Sequence, residues 1–224
     1  MGRGMQYRFS HYFVCGLRPL RWMTLIFASL MVSPAWADTC SPTPAMHAPH
    51  YPGAPNIPNS NNLRMPAGKA VAAEGQQVLL NGTILDAKCV PVMNARVELW
   101  QVDPFGKRML ATREDLVNAV PVFTGAGRTY SNNAGQFYFT TIFPAADGKS
   151  APHFNLRIVV DGQKPFTTQL YFAGDARNAE DRAFSKLPAD KQRSVSVTVR
   201  PQENGDLAVS TTLVMPFTQR YRGY

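Results

Sequence analysis

Apolar residues along this chain recur mostly with a period of two. Between 95 and 102, Ala95, Val97, Leu99 and Gln101 fall on one side, while Arg96, Glu98 and Trp100 fall on the other. That alternation predicts a strand with one face in a core. Similar short runs rich in Val, Thr, Phe and Tyr predict strands at 77–86, 136–142, 154–161, 167–172, 194–200 and 207–215. Gly82 marks a bulge in the first of these, and Asp103-Pro104-Phe105-Gly106 marks a turn. One short helix is expected around 176–185. The 18 prolines argue against longer ones, because each removes a backbone donor and crowds the preceding turn. Strands at this spacing predict an all-β, antiparallel sandwich over 74–224.

Two segments precede that body. Residues 1–37 combine Arg3, Arg8, Arg18 and Arg21, an apolar run over 22–32, and the small-x-small pattern Ala35-Trp36-Ala37. This is the layout of a signal peptide cleaved between Ala37 and Asp38. The apolar run falls well short of the roughly 20 residues that a membrane-crossing helix needs. A periplasmic or secreted location is therefore expected, with no transmembrane segment after cleavage. Residues 38–73 form an arm with Pro42, Pro44, Pro49, Pro52, Pro55, Pro58 and Pro66, interspersed with Asn56, Asn59, Asn61 and Asn62. So many prolines prevent continuous pairing, and an extended coil, lying over the domain or partly mobile, is expected.

Charge and cysteine content change meaning once the leader is set aside. The whole chain carries a formal charge of +8, from 23 basic and 15 acidic residues. Four basic and no acidic residues lie in 1–37, leaving 19 − 15 = +4. No basic stripe with interleaved aromatics remains, which argues against nucleic acid as a partner. Cys15 lies in the leader, so Cys40 and Cys89 remain; in an oxidising compartment they are expected to pair.

From about 80 to 175 the order of motifs resembles the core domain of the intradiol ring-cleavage dioxygenases, the protocatechuate and catechol dioxygenase family. The matching stretches include Gly82-Thr83-Ile84-Leu85-Asp86, Pro91 through Asp103, and Gly125-Ala126-Gly127-Arg128. They continue with Gly135-Gln136-Phe137-Tyr138-Phe139, Thr141-Ile142-Phe143-Pro144, Pro152-His153-Phe154-Asn155 and Thr168-Gln169-Leu170-Tyr171-Phe172. The resemblance implies ferric iron held by two tyrosinates and two histidines, hard anionic oxygens being suited to Fe(III). In this chain Arg108 stands at the first tyrosine position. The loop containing Asp147 stands at the second and has no tyrosine. His153 keeps the first histidine, and Asn155 replaces the second. Ser150 stands where the family has an arginine, while Gln169 and Arg128 match family polar positions and serve equally as structural hydrogen-bonding groups.

Several readings follow from that comparison. The leading one is an exported homologue inactive in aromatic diol cleavage, with no cofactor expected. It would act as a binding or structural module whose partner is a small aromatic ligand or another protein. In that reading Arg108 and Asp147 replace the metal charge with an ion pair beside His153 and Asn155. A second reading is an active dioxygenase with an altered iron shell that borrows His47 or His50 from the arm. A third is a sandwich that binds a protein partner through its arm or an edge strand.

Overall fold

In β1 (Gln77–Leu85), Val78, Leu80 and Ile84 are buried while Asn81 is exposed between them, so the period of two in the sequence is a true inside–outside alternation. The structure is a computed structural model that describes residues 40–108 and 123–219, apart from 66 and 69. The leader and its cleavage site lie outside the described residues. Among the described residues no helix is long and apolar enough to cross a membrane.

Two sheets pack face to face. The first has the order β4 (Gln136–Ile142), β1, β9 (Leu207–Val214), β8 (Val199–Pro201). The second runs β3 (Ala126–Tyr130), β2 (Arg96–Trp100), β5 (His153–Val159), β6 (Phe166–Phe172), β7 (Ser196–Val197). Leu80, Ile84 and Phe139 of the first meet Val97, Leu99, Phe154, Leu156 and Leu170 of the second in one core. The expected sandwich is present, with two differences in detail. β1 pairs with β9 in parallel, as does β6 with β7, so the sheets are mixed and not wholly antiparallel. Parallel neighbours need a long crossover, and nearly the whole domain lies between β1 and β9.

The single expected helix is also replaced by several short pieces. Asp175 caps a 3-10 turn at Ala176–Ala179, and Asp181 caps α1 (Arg182–Ser185). Two caps in succession divide what the pattern suggested was one helix. Pro188 then opens α2 (Ala189–Ser194), taking residues 189–194 away from the expected strand start at 194.

The arm is a strap that belongs to the fold. The bond between Cys40 and Cys89, with Cα atoms 5.3 Å apart, fixes its start to the β1–β2 connection. Thr43 donates to Val214 O at 3.0 Å and Met46 to Thr167 O at 2.8 Å, so the strap extends along the open edge of β6. It then crosses the outer face of the second sheet, where Ala48 and Ile57 pack with Trp100 and Ala126. At the far edge the Arg128 amide donates to Pro58 O and Ser60 O, while Leu63 and Asn61 exchange backbone bonds with Thr140 of β4. The strap thus closes the gap between edge strands β3 and β4, and Leu63 enters the main core. Gly127 permits this crossing, since a Cβ there would lie 2.4 Å from Ser60 O. The boundary drawn at 74 by composition therefore cuts through the packed body.

Candidate functional site

The outward side chains of β2, β5 and β6 make the floor of the site. Asn155 stands opposite Trp100 on one side and Gln169 on the other, and His153 stands opposite Tyr171. Residues 153 and 155 share a face because a strand repeats every two residues. The strap roofs part of this floor through Pro49 and His50, leaving a partly open pocket of about 40 Å³ lined also by Trp100, Gln101, Val102, Arg108, Gly125, Asp147, His153 and Asn155. That is room for about three waters. The Trp100 indole N–H donates to Pro49 O at 3.1 Å, holding roof to floor.

Arg108 reaches the cavity from a turn organised by Asp103. The Asp103 carboxylate accepts from the amides of Phe105 and Lys107, both at 2.8 Å, and Gly106 takes the left-handed φ of 76° that the turn requires. The Arg108 guanidinium then forks onto Asp147, with Nη2 to Oδ1 at 2.6 Å and Nε to Oδ2 at 3.3 Å. Asp147 is held by two backbone bonds with Ser150. The pair is well oriented, with the arginine half exposed and the carboxylate mostly covered.

His153 is buried, and its Nδ1 lies 2.7 Å from Ala151 O. A carbonyl only accepts, so Nδ1 carries a proton and donates it there, leaving Nε2 as the ring nitrogen directed elsewhere. Asn155 is fully engaged: its amide donates to Trp100 O at 3.2 Å, and its oxygen accepts from Gln169 Nε2 at 3.0 Å. The Tyr171 hydroxyl lies 3.0 Å from Gln169 Oε1 and 3.4 Å from Asp181 Oδ1. Burial raises the pKa of this phenol, and the charge and hydrogen bond of Asp181 raise it further. It is a neutral donor throughout the physiological range.

These donors do not fit the ferric shell of the resembling family. His153 Nε2 is the one imidazole nitrogen of the floor not spent on a backbone carbonyl, and Asn155 Oδ1 is already committed to Gln169. A guanidinium has no lone pair to offer to a metal ion. Asp147 is neutralised by that same guanidinium. Among the described residues no group of three or more His, Cys, Asp or Glu is placed to hold a metal ion.

The cavity brings together Arg108, Asp147, His153, Asn155 and His50, but not every residue named from the sequence. Gln169 backs it by holding Asn155. Ser150 and His47 line a neighbouring open groove with Gln169 and Asp181. Arg128 lies away from the cavity on β3, opposite Glu98, with its Nε buried and unpaired among the described residues.

Two further groups escaped the sequence reading. Asp181 accepts from the Ala151 amide at 3.0 Å while capping α1, so it fixes the backbone just before His153. Its signal was an Asp opening a short helical run. The second group is an ion cluster built around the fully buried carboxylate of Glu98 beside the cavity. Glu98 accepts from the Tyr51 hydroxyl at 2.8 Å and from Arg157 at 3.3 Å, and the Arg157 guanidinium lies 4.6 Å from the Tyr51 ring centre. Arg96 Nε stands 3.0 Å from Glu98 Oε1 without hydrogen-bond alignment, so that contact is coulombic. Arg157 could have been found as the next residue after 153 and 155 on the same face.

Comparison with known proteins bears on the family and the fold. A family model described as "Dioxygenase" matches residues 46–212. A Rickettsia felis protein named "Putative dioxygenase" is 32% identical over 190 residues, covering 82% of this chain and 86% of that protein. The protocatechuate 3,4-dioxygenase beta chain of Burkholderia cepacia is 30% identical over 161 residues, covering 67% and 68%. In fold, an intradiol ring-cleavage dioxygenase from Tetranychus urticae superposes with a TM-score of 0.62 at 19% identity, covering 82% of this chain and 98% of that one. The matched span begins inside the strap and runs through both sheets to β9, and on that extent of agreement the chain belongs to the intradiol ring-cleavage dioxygenase family.

Proposed function

We propose that this chain is an exported family member that does not cleave aromatic diols and instead serves as a binding module, its strapped cavity taking a small aromatic ligand without iron. The carrying observation is the forked Arg108–Asp147 ion pair at 2.6 Å, which puts a fixed cation on the wall that would have to supply phenolate to Fe(III). Trp100 and Pro49 offer apolar walls, while Arg108 and His153 offer polar groups at the rim and floor. Occupation by an aromatic ring requires Pro49–His50 to shift, because the pocket as it stands has room for only about three waters. Export is supported by the leader pattern, and the Cys40–Cys89 bond suits an oxidising compartment.

The test is iron chemistry. Purified protein incubated with Fe(III) is expected to stay colourless, with no tyrosinate charge-transfer band, and to consume no oxygen with catechol or protocatechuate. A coloured preparation with stoichiometric iron and diol-dependent oxygen uptake would overturn the proposal. One observation favours a second reading, an altered iron shell: His50 lines the same cavity as His153. Under that reading, iron-dependent oxygen uptake would be present and would disappear in His50→Ala.

A further inference from the structure

The outer face of the first sheet, remote from the strapped cavity, carries a different kind of surface. A groove of about 560 Å³ lies over β4, β1 and β9, within the size range of ligand sites. Strand register sets its rows: Tyr138, Asn81 and Ser210 stand side by side across three strands, and Gln136, Thr83 and Thr212 form the next row. Tyr130 and Asn132 border the groove.

Its composition is selective. None of its lining residues is charged, although 38 of the 224 residues of the chain are (23 basic and 15 acidic). This excludes phosphates, nucleic acids and acidic peptides, which need Lys or Arg. The alternating rows of amides and hydroxyls argue equally against an apolar ligand. The side chains of Asn81, Thr83, Ser210 and Thr212 make no hydrogen bond to any described residue, so their donors and acceptors are open to a ligand. Tyr138 and Tyr130 are 61% and 53% exposed, presenting aromatic rings on a surface where such residues are usually covered.

Rigid aromatic rings beside uncharged donors and acceptors match one ligand chemistry in particular. A pyranose has apolar C–H faces that lie on an aromatic ring and an equator of hydroxyls that both donate and accept. Adjacent strands are about 4.8 Å apart, so a row of three strands places polar groups at a spacing on the scale of a sugar ring. We propose that this face binds a neutral oligosaccharide, with Tyr138 as the stacking platform and Asn81, Thr83, Ser210 and Thr212 as hydroxyl partners. The site is on the sheet opposite the cavity and does not depend on the reading given for that cavity.

The experiment is calorimetric titration of the whole protein with cellohexaose, xylohexaose and mannohexaose, joined to amide chemical-shift mapping. Saturable binding of at least one sugar is expected, insensitive to salt, with shifts confined to β1, β4 and β9. Tyr138→Ala should weaken it about tenfold or more, Tyr138→Trp should retain it, and Asn81→Ala should weaken it without changing the melting temperature, since both residues are exposed. Absence of binding to all three sugars would overturn the proposal. So would binding that Tyr138→Ala leaves intact, or shifts that map elsewhere.

Discussion

Asp86 shows how a single side chain can set pH dependence in this fold. It is buried at the end of β1 and accepts from the amides of Lys88 at 2.8 Å, Val90 at 3.0 Å and Gln219 at 3.0 Å. Burial alone would raise its pKa, but the amides of Gln219, Val90 and Lys88 together outweigh that and hold the carboxyl below its ordinary value. A folded-state pKa below the unfolded one means stabilisation that is fully present above about pH 4 and is lost as the pH falls through the folded value. Asp86→Asn is therefore expected to lower stability at neutral pH and flatten the acid limb of the urea midpoint against pH. An acid limb identical to the wild type would show that Asp86 does not supply it. Arg108 and Asp147 permit a second single-residue test. Their forked geometry at a partly covered site predicts a coupling of about 0.5–1 kcal/mol in a cycle of Arg108→Ala, Asp147→Ala and the double variant. Strictly additive losses would remove the direct pair.

Among the elements, the strap carries the most consequence, and its sequence disguised it. Its prolines and asparagines announced an extended segment, but not the 3-10 turn at Ala54–Asn56 or the bridge by which Asn62 pairs with Thr140. They did not announce that Leu63, fully buried, would join the main core, because a lone leucine among polar residues has no period to read. Leu63→Ala is expected to cost about 2–5 kcal/mol, the range for deleting a buried leucine side chain, in chemical denaturation. A loss as small as that for the exposed Val71→Ala would mean the strap only rests on the body. The strands were more legible. β2, β4, β5, β6 and β9 fall close to their expected bounds, and the faces of Val97, Leu99, His153 and Asn155 follow directly from alternation. The parallel partner of β1 was not legible, since period two fixes which face a residue takes but not which strand lies beside it. The site divided the same way. His153 and Asn155 share a face by local geometry, whereas the approach of Asp181 and Tyr51 depends on chain paths 30 and 47 residues long.

At the scale of the whole molecule, the strap links the disulfide, the roof of the cavity and the sandwich edge in that order along the chain. Its first stretch is held by Cys40–Cys89 and by the backbone bonds of Cys40 to Ala87, Thr43 to Val214 and Met46 to Thr167. Its last stretch is held by Arg128 and Thr140 on two different sheets and by Leu63 in the core. Closing the 49-residue separation between the cysteines contributes about 4 kcal/mol on the chain-entropy model, and the bond acts at the start of the first stretch, far along the chain from Leu63. In Cys40→Ser/Cys89→Ser the Met46 amide should therefore exchange with deuterium much faster, reporting local opening. The Thr140 amide, bonded to Asn61 O at 2.8 Å, should change only by the loss in global stability. This unequal release bears on function, because Pro49 and His50 lie between the two anchored stretches. Release from the disulfide end is expected to loosen Pro49 and His50 over His153 and Arg108 while Leu63 stays packed in the core. Equal acceleration at Met46 and Thr140 would instead mean that strap and sandwich open as one unit.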